Sequence, residues 1–286
     1  MPRIAYVNGR YVPYRAAQVH IDDRGYTFAD AVYEVVLIAK DVLVDEGPHL
    51  DRLDRSLREL RIAPPMSRRA LQLVLREVIR RNAVHYGLVY LQMSRGVAPR
   101  DHIFPDAAET QFVAWAKTLA PQPRSFAEDG VKAITMPDIR WERCDIKSTA
   151  LLPNVLAKQA ARDAGAYEAW LVDTDGFITE GSSTNVWIIT PAGELVTRAA
   201  DAAILAGVTR RTVVALAREE GLRFVERRFS LAEAKAAREA FVTSASSLVL
   251  PVTQIDDQVI GNGKPGSMTS RLRARYFHYM AADHAR

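Results

Sequence analysis

The chain is poor in several things at once, and each scarcity excludes something. It has one cysteine, Cys144, among 286 residues. No internal disulfide can form, and a single thiol fits a reducing compartment. Long apolar runs are missing too. The opening Met1-Pro2-Arg3-Ile4-Ala5-Tyr6-Val7-Asn8-Gly9 holds no signal-like core, and no uncharged stretch reaches bilayer length. A cytoplasmic protein with no membrane partner is therefore expected. Six histidines show neither metal-ligand spacing nor an H-E-x-x-H pattern, so with the lone thiol no metal site is expected. Low-complexity tracts and internal repeats are absent. Lysine is scarce, at seven of the 38 basic residues. The net charge is only +4, and the arginines are dispersed along the helices rather than gathered with aromatics. Nucleic acid is therefore not an expected partner.

What is present is an ordinary globular composition, 48% hydrophobic and 25% charged, enough for one large core or two modest ones. Residues 5–14 read as strand, Asn8-Gly9 turn, strand. Alternation resumes over 35–43. Leu50, Leu53, Leu57 and Leu60 have helical spacing, which Pro64-Pro65 stops. Ser67 suits the cap of a second helix with Leu71, Val74, Leu75 and Val78 as its apolar stripe. Strands are expected at 88–94 and 110–117. Pro121 and Pro123 make 119–125 the best linker. Beyond it come a strand at 131–136, a helix at 153–164, a strand meander over 169–197, a helix from Gly207 to Glu220, further strands with a short helix from Ser230, and a helix from Met268. Helices and strands mix in both halves. The expected fold is α+β, with domains at 1–118 and 126–286.

Two segments of the second half offer chemistry. In Arg143-Cys144-Asp145-Ile146-Lys147-Ser148-Thr149 a lysine sits mid-motif, and arginine cannot replace it as an imine former because its guanidinium stays protonated. In Thr179-Glu180-Gly181-Ser182-Ser183-Thr184-Asn185 a carboxylate stands at a hydroxyl-rich turn. An amine that can form an imine, with a carboxylate that can hold a protonated ring nitrogen, is the minimum protein chemistry for pyridoxal phosphate. A surface lysine and a turn carboxylate satisfying the N–H groups of Gly181 and its successors remain open alternatives. So do turn-forming roles for Ser182 and its neighbours. A phosphate would suit the N–H groups of Val208 and Thr209 at a helix start and a guanidinium fork from Arg52. Arg52 is equally readable as one more helix arginine. Arg100 and His102 alternate in an extended loop, so both can point one way. With the Tyr33 phenol they can grip a substrate carboxylate; an exposed loop with ordinary charges is the open alternative.

In joint order and spacing these pieces resemble the fold-type IV pyridoxal-phosphate enzymes, and most of all the D-amino-acid aminotransferases. The resemblance runs from the first hairpin to the last helix. It rests on Asp23-Arg24-Gly25-Tyr26 through Asp30-Ala31-Val32-Tyr33-Glu34, on His49-Leu50-Asp51-Arg52, on Pro99-Arg100-Asp101-His102, and on the Lys147 and Glu180 motifs. It implies two domains with the active site between them, the second carrying the imine lysine, and a homodimer in which Arg100 and His102 reach the partner's site. It also implies ping-pong exchange between D-amino acids and 2-oxo acids. Three departures stand out. Ala29-Asp30-Ala31 replaces the family's G-D-G. Ala245 stands where a threonine binds phosphate, with Ser246 as the substitute, and Leu248 replaces a glutamate. Leu152 in place of a tyrosine, and the R-x-H loop, set the chain apart from branched-chain L-aminotransferases. (R)-Amine transaminases and aminodeoxychorismate lyase share the fold as further alternatives.

Overall fold

A computed structural model describes residues 3–282. The chain forms two compact units, Met1–Ala120 with Ile146–Ala150, and Pro121–Asp145 with Leu151–Arg286. The short return of Ile146–Ala150 to the first unit differs from the expected division, which put Lys147 with the second half. Backbone hydrogen bonds explain it. The Tyr33 N–H donates to Lys147 O at 3.0 Å and the Thr149 N–H to Ala31 O at 3.0 Å.

The first unit contains β1 (Ile4–Val7), β2 (Arg10–Pro13), α1 (Arg24–Phe28), β3 (Ala31–Ala39), β4 (Val42–Leu43), α2 (Glu46–Glu59), α3 (Arg68–Asn82), β5 (Tyr86–Ser94) and β6 (Gln111–Thr118). Among the described residues its strands make one antiparallel sheet in the order β2-β1-β6-β5-β3-β4. Period-2 alternation turns Val32, Val36 and Ile38 of β3 toward Leu50, Leu53 and Leu57 of α2 and Leu71, Leu75 and Val78 of α3. The expected alternation over 35–43 is split into a hairpin. Lys40 and Asp41 both adopt left-handed φ, 51° and 68°, which suits a two-residue turn between strands. α2 starts three residues before His49, because Gly47 and Pro48 fall in the first turn, where a missing N–H costs little. α1 is too short for a helical period to register. Asp23 caps it by accepting the Gly25 N–H at 2.7 Å.

The second unit contains α4 (Arg124–Glu128), β7 (Val131–Pro137), α5 (Leu152–Asp163), β8 (Glu168–Val172), β9 (Ile178–Gly181), β10 (Asn185–Ile189), β11 (Leu195–Thr197), α6 (Val208–Glu219), β12 (Phe224–Glu226), α7 (Leu231–Lys235), β13 (Glu239–Ser244), β14 (Leu248–Ile255), β15 (Gln258–Val259) and α8 (Ser267–Ala282). Its sheet runs β12-β11-β10-β13-β14-β7-β8-β9, with β15 on β14 and parallel pairs at β11–β12, β14–β7 and β7–β8. The sequence carries no strand signal for β14, since Pro251 interrupts it. Pro251 pairs with Phe241 of β13, and pairing with β7 begins only at Val252, so the missing N–H faces no neighbouring strand. α4 occupies part of the expected linker, Pro123 being its N-cap. Among the described residues no helix is long and apolar enough to cross a membrane.

Candidate active site

In the first unit, alternation along β3 sets two faces to different work. Glu34 points into the core and is fully buried. Arg52, one helical turn beyond His49 on α2, forks onto it, with Nε 2.8 Å from Oε1 and Nη2 2.8 Å from Oε2. His49 Nδ1 lies 2.8 Å from Oε2. Burial alone would raise the Glu34 pKa, but the Arg52 charge and the hydrogen bonds from Arg52 and His49 outweigh it and hold the carboxyl well below its usual range. Burial lowers the His49 pKa despite its contact with Glu34. The expected phosphate arginine is thus oriented by a buried carboxylate that sequence reasoning did not single out.

Tyr33, next along β3, faces the other way and is half-buried. Its ring stacks on Tyr90 at 5.8 Å, and Tyr90 on Trp115 at 5.3 Å. Burial, then the nearby Tyr33, pushes the Tyr90 phenol up to about 12. The Lys147 segment lies beside the start of β3, bridged at Val32–Ser148, and its N–H donates to Ser56 Oγ of α2 at 3.3 Å. Lys147 Nζ stands 4.3 Å from the Tyr33 ring centroid. Lys147 and Tyr33 are therefore neighbours. Arg100 and His102 are both exposed and meet on one ring, Phe28, at 5.0 and 5.3 Å.

In the second unit Glu180 lies within β9 rather than in a turn, and is buried. Its carboxylate receives Arg140 Nη1, Asn185 Nδ2 at 3.0 Å and the Leu205 N–H at 3.2 Å. Arg140 is itself gripped by Asp138 through Nε at 2.9 Å and Nη2 at 2.7 Å. Burial would lower the Arg140 pKa, but Asp138 and Glu180 raise it, so the guanidinium is firmly charged. Arg140 was missed in the sequence because nothing marks one arginine among 31 as a counter-ion. The hydroxyl-rich turn has a buried centre of its own. Ser182 Oγ, Ser183 Oγ at 3.0 Å and Thr184 Oγ1 at 3.1 Å donate to Glu168, which is fully buried.

Val208 and Thr209, both buried, open α6 behind Gly207, an N-cap with no side chain to satisfy the first N–H groups. Asn185 Nδ2 also donates to Leu205 O at 2.9 Å, and a Cβ at Gly207 would overlap Asn185 Oδ1. One amide thus ties the Glu180 carboxylate to the start of α6. Ser246 is exposed, with Oγ 3.4 Å from Ser244 Oγ and its carbonyl accepting from Gln122 Nε2 at 3.0 Å.

Residues 31–255 match the family of class IV amino-transferases. A D-alanine aminotransferase of Bacillus licheniformis is 40% identical over 266 residues, spanning 93% of each chain. One of Listeria innocua is 39% identical over 274 residues, 95% of this chain and 93% of that one. Among solved structures, a branched-chain amino acid aminotransferase from Escherichia coli superposes with a TM-score of 0.88 at 23% identity, covering 98% of this chain and 95% of the other. The branched-chain amino acid aminotransferase from Thermobaculum terrenum, in its PLP-form, gives 0.83 at 22%, covering 98% and 94%. At that identity the two structures show the shared fold-type IV architecture alone.

Proposed function

This chain belongs to the class IV aminotransferases, and from that premise we propose that it moves the amino group of a D-amino acid, such as D-alanine or D-glutamate, to pyruvate or 2-oxoglutarate. The observation that carries this reading is the likeness, over more than nine-tenths of the chain, to D-alanine aminotransferases.

The cofactor is pyridoxal 5'-phosphate. When bound, it joins a lysine amine and draws the electrons of the substrate Cα–H bond into its ring. The residues present fit it. Lys147 is a half-buried primary amine beside an aromatic face. Glu180 is a carboxylate surrounded by a guanidinium, an amide and a backbone N–H, the setting in which an anion accepts a ring N–H. The N–H groups of Val208 and Thr209 at an uncapped helix start suit phosphate, as does the positive charge of the Arg52 guanidinium, whose Nε and Nη2 are held in place by Glu34. Ser246 supplies a hydroxyl near the position where Ala245 has none. Ser182, its own hydroxyl spent on Glu168, holds the turn next to Glu180.

Lys147 is the base in this reading: its Nζ takes the proton from the substrate Cα and holds it for return. Tyr33, Arg100 and His102 bind the substrate carboxylate. We further propose a cytoplasmic homodimer in which Arg100 and His102 serve the partner's site. Ile21, Tyr26 and Ile103, each about three-quarters exposed in the single chain, support such a contact.

Incubation with D-alanine and 2-oxoglutarate is expected to yield pyruvate and D-glutamate in equal amounts. Products formed only from L-amino acids would overturn the reading.

A further inference from the structure

Asp30 has no part in the chemistry above, yet three guanidinium hydrogen bonds converge on its nearly buried carboxylate. Arg24 Nε reaches Oδ2 at 2.9 Å, while Arg95 Nε and Nη2 reach Oδ2 and Oδ1 at 2.7 and 2.9 Å. Burial works against ionisation here, but the two arginines outweigh it and keep the carboxyl below its ordinary pKa. Each arginine also reaches a different loop. Arg24 Nη1 donates to Asp101 O at 2.6 Å and to Ile103 O at 3.4 Å. Asp101 is the residue between Arg100 and His102. Arg95 Nη2 and Nη1 donate to Leu60 O at 2.7 Å and Arg61 O at 3.1 Å, just past α2, and its guanidinium covers Phe104 at 3.6 Å.

The same segments are joined through the backbone. The Arg24 N–H donates to Gly96 O at 2.9 Å and the Arg95 N–H to Asp30 O at 3.1 Å, with a bridge at Asp23–Val97. Arg24 also lies 4.7 Å over Phe28, the ring on which Arg100 and His102 meet. Without Asp30, two guanidiniums only 4% and 9% exposed would face each other with no shared counter-charge.

We propose that Asp30 is a positioning residue for the Arg100–His102 loop: through Arg24 it fixes the backbone between those two side chains, and through Arg95 it ties the base of the loop to the end of α2. The proposal rests on the reading of that loop as the carboxylate-binding element. An exposed loop presents two side chains in one geometry only when something rigid holds its backbone, and a carboxylate shared by two buried arginines does so from below.

The test compares wild-type holoenzyme with Asp30→Asn, Asp30→Glu and Arg24→Lys. Steady-state constants for D-alanine, the visible spectrum of the bound cofactor, and hydrogen exchange of the amides over 98–105 are recorded. Asp30→Asn and Arg24→Lys are expected to raise KM for D-alanine about tenfold, with kcat within about twofold and an unchanged spectrum. Amides of residues 101–104 should exchange faster, and Asp30→Glu should recover part of both effects. A fall in kcat at unchanged KM, or wild-type exchange over 98–105, would overturn the proposal. Should Asp30→Asn not fold, Arg24→Lys decides by the same two readouts. Failure of wild-type enzyme to turn over D-alanine would fault the reading of function, while the exchange measurement would still report on Asp30.

Discussion

At the scale of single residues, the first unit depends on a buried charge that is made tolerable by its partners. Glu34 in the fold binds protons far more weakly than an ordinary glutamate at 4.5, and His49 more weakly than an ordinary histidine at 6.5. Both shifts are depressions, so acidification protonates the unfolded chain first. The stability they contribute is fully present above about pH 7 and declines as the pH falls through 6.5 for His49, then declines further below 4.5 for Glu34. The melting temperature measured against pH is expected to show this two-stage fall, with the first stage reduced in His49→Gln. A flat profile between pH 7 and 5 would contradict it. Cys144 supplies a second prediction. Burial pushes its thiol up to about 11, only partly countered by Arg140. Alkylation by iodoacetamide at pH 8 should run about two orders of magnitude slower than on a free thiol, and a rate equal to that of free cysteine would show the thiol to be unperturbed.

At the scale of elements, the start of α6 is where the local fold meets the proposed phosphate site. Gly207 is small because Asn185 occupies the space a side chain would need, and Asn185 in turn holds Glu180. Gly207→Ala is expected to push Asn185 aside and weaken retention of the cofactor about tenfold, read as loss of visible absorbance on dialysis. Unchanged retention would show that the amide has room to shift. α8 offers a test of stability instead. The Met268 and Thr269 N–H groups donate to Glu239 at 3.2 and 2.8 Å. Glu239→Ala should cost about 1–3 kcal/mol, seen as a melting temperature lower by several degrees.

Elements with a clear period or cap, such as α2, α3 and α6, were legible in the sequence. The others lacked a local signal. β14 carries Pro251 and owes its place to β13 and β7, and α1 is a single capped turn. The same division runs through the candidate site. Lys147 and Glu180 stood in readable motifs, whereas Arg140, Glu168 and the Asp30 hub emerge only once distant segments are brought together.

At the scale of the whole molecule, the chain enters the second unit at Pro121 and returns to the first for Ile146–Ala150, so the lysine is held against β3. No stretch of sequence announces that return; it depends on the backbone groups at the start of β3. If copies of the chain share their sites, mixing inactive Lys147→Ala with inactive Arg100→Ala protein should restore part of the activity, because each mixed dimer then contains one intact site. Absence of any recovery, with dimers present, would place Arg100 in its own chain's site. The most direct test of the central claim is a single-turnover half-reaction of the holoenzyme followed by absorbance. D-Alanine should convert the bound cofactor to its amine form and release pyruvate, L-leucine should leave the spectrum unchanged, and Lys147→Ala should give neither response. Conversion by L-leucine alone, or by D-alanine in Lys147→Ala at the wild-type rate, would contradict the account.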